Sequence, residues 1–212
     1  MFNSDIPIHN NIVVVAAKST SDASAAKPFP PDPDSSQSTI STVEREIREA
    51  GGDAYAIAVD VRDVDSVQRL VDDTVGVSHL HSVFEQVLTE SFVVLQKYSR
   101  LDVLVYNSGA IWWGSVENTP TKRFQLMQRV NPEGLYATVQ AVLHYFKRNG
   151  WNGRIIVVSP PIYWRFFRGK TAYAMGKVGM SVLTKGLAMD FEREGRTGMA
   201  ISSIWPAVVR IL

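Results

Sequence analysis

The run Ile12-Val13-Val14-Val15-Ala16 constrains this chain more than any other feature. A continuous apolar, β-branched run lacks the polar alternation of a half-exposed strand. The run therefore predicts a strand buried on both faces of a parallel sheet. Parallel strands need long crossover connections, and the rest of the chain supplies them. Ser19 to Thr39 is rich in Pro, Ser and Asp and reads as a loop. A helix is predicted from about Ile40 to Ala50, with Val43, Ile47 and Ala50 on one face and Gly51-Gly52 as its stop. Ala54 to Val59 reads as a second strand and Asp63 to about Val75 as a second helix. Val103 to Tyr106 predicts a third buried strand. Thr119-Pro120 predicts a hydroxyl N-cap followed by proline at the first helical position. That helix runs toward Arg148 and stops at Asn149-Gly150. Arg154 to Val158 is the fourth strand, Thr171 to Glu194 the last long helix, and Met199 to Trp205 the fifth strand.

Strands alternating with helices imply an α/β protein with a doubly wound, parallel, Rossmann-type sheet. At 212 residues the chain fits one such domain. A formal net charge of +1 argues against nucleic acid or an acidic membrane surface as partner. The absence of cysteine excludes disulfides, thiolate chemistry and Cys-based zinc sites. The longest apolar run, Ile12 to Ala17, is far shorter than the roughly 20 residues a membrane helix needs, so no membrane span is expected. No secretion signal opens the sequence, which suggests the cytoplasm or an organellar matrix. His9, His79, His81 and His144 are scattered, so no metal site is expected.

The chemistry concentrates in Tyr173-Ala174-Met175-Gly176-Lys177, inside the last long helix. The i, i+4 spacing stacks phenol and ammonium on one helix face, one turn apart. An ammonium beside a phenol favours the phenolate and lowers its pKa from about 10 toward the working range. Such a tyrosine passes a proton to or from a carbonyl or alcohol oxygen. Standing alone, the pair reads equally well as an exposed helical couple. It does not stand alone. Ser159 ends the strand Ile155 to Val158, and ligands gather at the carboxyl ends of such strands. A hydroxyl there would hold the substrate oxygen while Tyr173 moves the proton. Asn107-Ser108-Gly109 ends the preceding strand. Asn131 sits mid-helix before Pro132, whose missing N–H predicts a kink and a carbonyl open to an ordered water.

Taken in this order, Asn107-Ser108-Gly109, Val130-Asn131, Ser159 and Tyr173 with Lys177 resemble the signature set of the short-chain dehydrogenase/reductase family. The similarity extends from about Ile12 to Trp205. It implies an NAD(P)-dependent oxidoreductase with Tyr173 as general acid/base. By the same resemblance, Lys177 lowers the tyrosine pKa and holds the nicotinamide ribose, Ser159 orients the carbonyl, and Asn131 supports a water relay. Asn107 and Gly109 match the cofactor-side turn, and Asp60-Val61 resembles the adenine-side motif. Ala16-Ala17-Lys18, Lys122-Arg123-Phe124, Ser159-Pro160-Pro161 and Trp205-Pro206 resemble the hydroxysteroid-dehydrogenase-like branch. That branch implies a small apolar carbonyl or alcohol, fatty or steroid-like. Ile162 to Phe167 lies where the family places part of its substrate pocket, although packing or a subunit contact explains the cluster equally well. Lys18 stands where an acid would bind a ribose 2′-hydroxyl and suits a 2′-phosphate instead, so NADP is expected, with NAD as the alternative. Family members usually assemble through their last two long helices, which implies a homo-oligomer.

The sequence also departs from the family. The family opens with a strand and a glycine-rich turn that receives the pyrophosphate. Here the first strand corresponds to the second of the family, and no glycine occurs before Gly51. The expectation is a Rossmann-type domain lacking its first strand and glycine-rich turn, truncated at both ends, with two unpaired inner strand edges. Val77 to Gln96 interrupts an otherwise usual helix-to-strand connection from Gly76 to Lys97. Codons for Val77-Ser78 and for Gln96 can carry the borders of a spliceosomal intron, so a retained intron in a eukaryotic gene explains the segment. A genuine helical insertion explains it too, since Phe84, Val87, Leu88, Ser91, Phe92 and Leu95 have helical spacing. Two functions of different classes follow. One is hydride transfer on a carbonyl/alcohol pair; the other is a catalytically inactive remnant acting, if at all, as a scaffold or partner subunit.

Overall fold

The β-branched run forms β1 (Ile12–Ala17), which pairs in parallel with β2 (Asp53–Ala58) from Ile12 opposite Asp53 to Ala17 opposite Ala58. Between them runs α1 (Ile40–Glu49), opened by Thr39, whose hydroxyl accepts the Thr42 N–H at 3.3 Å. Gly51 follows at φ +86°, the left-handed conformation that ends a helix at little cost to glycine. Polar arms tie α1 to β2: Arg48 Nε donates to the Ala54 carbonyl at 2.9 Å, and Glu44 accepts the Ala56 N–H at 3.2 Å. Val13 remains 46% exposed, so β1 is not buried on both faces as its composition predicts. Within its own compact unit, α1 is the one helix among the described residues.

The computed structural model describes residues 12–17, 39–75, 100–159, 165 and 167–206. Its contacts divide the chain into two compact units, 1–60 and 61–212, where the sequence suggests one domain. Lys18, the segment 77–96, and residues 162–164 and 166 of the aromatic cluster lie outside the described residues.

In the second unit, β3 (Val103–Tyr106), β4 (Gly153–Val158) and β5 (Met199–Ile204) form a parallel sheet in that spatial order. The helices are α2 (Val64–Val75), α3 (Thr121–Gln128), α4 (Gly134–Arg148) and α5 (Thr171–Arg193). Alternate strand positions point one way: Tyr106, Ile155, Val157, Met199 and Ile201 are buried with Leu135, Val142, Phe146 and Met180 of the helices. The other face is open. Val103 is 49% exposed and Val105 56%, so the third strand, expected to be buried, is buried on one face only. Parallel strands, crossover helices and a one-directional register make this an α/β, Rossmann-like fold.

Two local expectations change. Pro132 sits in a π-helical turn, Arg129–Glu133, that joins α3 to α4; the wider turn absorbs the missing proline N–H. Thr119 does not cap α3, because its hydroxyl turns back to the Ser115 carbonyl at 2.7 Å and Pro120 takes the cap position.

Candidate active site

Residues 173, 177 and 181 climb one face of α5 at four-residue intervals, and that face lies against the carboxyl end of β4. Lys177 is only 6% exposed, and its Nζ donates to the Val158 carbonyl at 3.1 Å. Burial strips the ammonium of hydration and lowers its pKa to about 8. Burial also raises the Tyr173 phenol above 10. The sequence argument predicts the opposite for the phenol. Here burial is the cause at both groups. Burial therefore favours the protonated form of the Tyr173 phenol.

Ser159 follows β4 directly and is 1% exposed. Its N–H donates to the Ile204 carbonyl at 3.0 Å, which extends the sheet by one bond. Its hydroxyl lies 3.2 Å from the Lys177 carbonyl and 3.1 Å from Ser181 Oγ. The hydroxyl expected at a substrate oxygen is therefore directed into α5, where it fixes the turn that bears Lys177. The sequence alone does not point to Ser181. The 173, 177, 181 spacing carried the signal, since a third polar residue on that face shares its neighbours.

Asn131 is fully buried in the π turn. Its Oδ1 accepts the Ala110 N–H at 2.9 Å and its Nδ2 donates to the Ala110 carbonyl at 3.0 Å. Both ends of the amide thus hold the loop after β3. The Val130 carbonyl, next to it, receives the Tyr106 hydroxyl at 2.5 Å. The same loop brings Gly109 to Lys177: a Cβ there would lie 3.6 Å from both Lys177 Nζ and Asn131 Oδ1. Gln128 Nε2 reaches the Ala172 carbonyl at 3.2 Å and joins α3 to the first turn of α5. The structure thus gathers Gly109, Asn131, Ser159 and Lys177, with Tyr173 one turn before the lysine. Asn107 is exposed beside them. Asp60 closes the first compact unit and Val61 opens the second, so the two adenine-side residues fall on different units.

A nicotinamide dinucleotide would meet these groups unequally along its length. Lys177 offers a buried donor and Gly109 an approach without a Cβ, which fits the ribose next to the reacting ring. For the pyrophosphate, the second unit's described residues offer no glycine-rich turn at a helix N-terminus. The fit is to the reacting half.

The family model for short chain dehydrogenases matches residues 77–210. The chain belongs to the short-chain dehydrogenase family. Among curated relatives, the mouse hydroxysteroid dehydrogenase-like protein 2 is 33% identical over 170 residues, covering 79% of this chain and 30% of that protein. The human protein of the same name is 31% identical over 196 residues, covering 92% of this chain and 38% of its own length. The chain spans about a third of the curated relatives it matches. Among solved structures, a short chain dehydrogenase from Mycobacterium thermoresistibile is 32% identical with a TM-score of 0.67, covering 92% of this chain and 58% of that one. A metagenomic short-chain oxidoreductase solved with NADP shares the fold at 22% identity, with a TM-score of 0.62 and coverage of 93% and 70%. Short-chain dehydrogenases are oxidoreductases dependent on NAD(P), and solved members of this fold hold NADP(H). No helix among the described residues of this family member is long and apolar enough to cross a membrane.

Proposed function

We propose that this chain is the reacting part of an oxidoreductase that exchanges a hydride between NADP(H) and a carbonyl/alcohol pair on a small apolar molecule. The observation that carries the reading is Lys177, buried one turn beyond Tyr173 and held at the end of β4 by the Val158 carbonyl. The cofactor, when bound, supplies or accepts the hydride. Tyr173 gives its proton to the carbonyl oxygen in reduction, the direction that suits a phenol kept protonated. Lys177 would hold the ribose and Gly109 would admit it. Asn131 fixes the loop that carries Gly109. Ser159 enters as a positioning residue for the Lys177 turn, since its hydroxyl is committed within α5. Lys18, Asp60, Val61 and Asn107 are assigned to the cofactor by resemblance alone. Exposed Tyr136 on α4 with Met175, Val182 and Met189 on α5 supports a homo-oligomer formed through these helices, which a monomeric mass by light scattering would rule out.

A second reading, a catalytically inactive remnant serving as scaffold or partner subunit, is favoured by one observation. The described strands pair as two separate sheets, β1–β2 and β3–β4–β5. Titration with NADPH separates the readings. Binding raises the melting temperature by mass action, about 2.7 kcal/mol of stability at a hundredfold excess over Kd. No shift at millimolar NADPH selects the remnant. If NADPH binds, Tyr173→Phe is expected to lower kcat at least ~100-fold with NADPH affinity unchanged. Ser159→Ala is expected to weaken NADPH binding and to lower kcat by less than tenfold; a loss matching that of Tyr173→Phe would return Ser159 to the carbonyl.

A further inference from the structure

The turn Asn149-Gly150-Trp151-Asn152-Gly153 joins α4 to β4 and holds both Asn-Gly pairs of the chain. Such a pair is chemically labile. The glycine lacks a Cβ, so its backbone N can approach the asparagine side chain and attack the amide carbon. How firmly a turn holds both groups decides whether they react, and the two pairs differ.

Asn149 is held. Its Nδ2 donates to the Leu101 carbonyl at 2.5 Å, and the Gly150 N–H donates to the Lys147 carbonyl at 3.1 Å. Asn152 is exposed, and its side chain makes no hydrogen bond among the described residues. The Gly153 N–H donates to the Gly198 carbonyl at 3.2 Å. That carbonyl has a second donor, because Arg154 Nη1 reaches it at 2.5 Å and the Gly153 carbonyl at 2.8 Å. Release of the Gly153 N–H therefore leaves Gly198 paired with a charged donor and avoids orphaning a buried acceptor. Trp151, one residue before, sits at φ +57°, and opening the turn returns the strain of about 1–2 kcal/mol stored there. A hollow of about 380 Å³ bounded by Gly150, Trp151 and Gly198 gives the turn room to move.

We propose that Asn152 is a site of spontaneous deamidation, and that the folded turn directs the reaction to it and away from Asn149. The Gly153 N bonds to the Asn152 Cγ and gives up its proton as ammonia leaves, which closes a five-membered succinimide. Water then opens the ring, so the net change is one water in and one ammonia out. Opening at the former side-chain carbonyl gives aspartate. Opening at the backbone carbonyl gives isoaspartate, whose main chain is one carbon longer. That carbon enters directly before Gly153, which lies beneath the Phe146 ring with no room even for a Cβ. The isoaspartyl product must displace this packing, whereas the aspartyl product keeps the native backbone. No residue of the candidate active site takes part.

Incubation of the whole chain at mildly alkaline pH, followed by peptide mapping in a mass spectrometer, tests it without any turnover. In the native chain Asn152 is expected to convert at least ~10-fold faster than Asn149. In urea the two should convert within about threefold of each other, since unfolding removes what distinguishes them. Isoaspartyl molecules should be cut by protease at least ~10-fold faster than unreacted ones, and Asn152→Asp should be cut within about twofold of the unreacted rate. Conversion at Asn149 that equals or exceeds conversion at Asn152 in the native chain overturns the proposal. So does conversion of Asn152 that begins only once urea has unfolded the chain. Isoaspartyl molecules as resistant as the unreacted chain would overturn the link to Phe146.

Discussion

Lys177 is the residue whose protonation the fold penalises most openly. Its unfolded pKa is 10.5 and its folded value about 8, with burial as the cause. The sign follows from proton binding: between these values the unfolded chain holds a proton that the native chain has released. Stability is therefore reduced below pH 8 and rises as pH climbs toward 10.5. At about 1.4 kcal/mol per pH unit of full difference, the gain from pH 8 to 9.5 is about 1.5 kcal/mol. Urea midpoints at the two pH values measure it, and Lys177→Met should remove the pH dependence across this window. A Lys177→Met protein that keeps the full slope would assign it elsewhere. The spacing of Tyr173 and Lys177 was legible in the sequence, but the direction of their shifts was not. Spacing tells which groups are near each other; it does not tell that the lysine meets a strand carbonyl and leaves water behind. The same holds for Ser159. Its place at the end of β4 was readable, yet which way a hydroxyl points there depends on the facing helix, and Ser181 lies 22 residues along the chain.

Elements were legible where periodicity was strong and mislocated where turn geometry decides. β3 was read at Val103 to Tyr106 as it is found, and α5 differs by one residue at its end. The α4-to-β4 turn was read only as an Asn-Gly stop. In the structure two residues in succession, Gly150 at φ +68° and Trp151 at φ +57°, take the left-handed conformation. For a tryptophan this costs about 1–2 kcal/mol, offset by the Arg196 guanidinium stacked 3.4 Å from its ring and by the Trp151 N–H donating to the Phe146 carbonyl at 2.7 Å. The reversal drops Gly153 directly beneath Phe146, which is fully buried. A Cβ on Gly153 would collide with the Phe146 ring. Gly153→Ala is thus expected to cost about 1–3 kcal/mol, the range for overpacking a rigid core. Thermal denaturation checks it, and an unchanged midpoint would mean the ring has room to turn. Nothing in the sequence predicts this contact, because glycine before a strand reads as a turn residue wherever it occurs.

At the scale of the molecule, the two compact units differ in what they can bury. Residues 61–212 set three parallel strands against helices around a core that includes Leu135, Phe146, Ile155, Val157 and Met180, each at most 1% exposed. Among the described residues of 1–60, two strands share one helix, and Ile40, Ala54 and Val59 are the buried apolar side chains. A two-stranded sheet with so little burial is marginal in water, since the ordering of each residue costs about 1–2 kcal/mol of backbone entropy. The two should therefore open at different free energies. Hydrogen exchange is expected to show amides of β1, α1 and β2 exchanging at least ~100-fold faster than those of β4 and α5, a gap of about 3 kcal/mol in opening free energy. NADPH makes the comparison sharper. If the cofactor engages only the site built from Gly109, Tyr173 and Lys177, protection rises across 103–204 and leaves 12–58 where it was. If protection rises in both ranges together, the cofactor draws on both units, and the adenine-side assignment of Asp60 and Val61 gains its first physical support. Equal protection of the two units without cofactor would refute the premise, because it would make them one cooperative body.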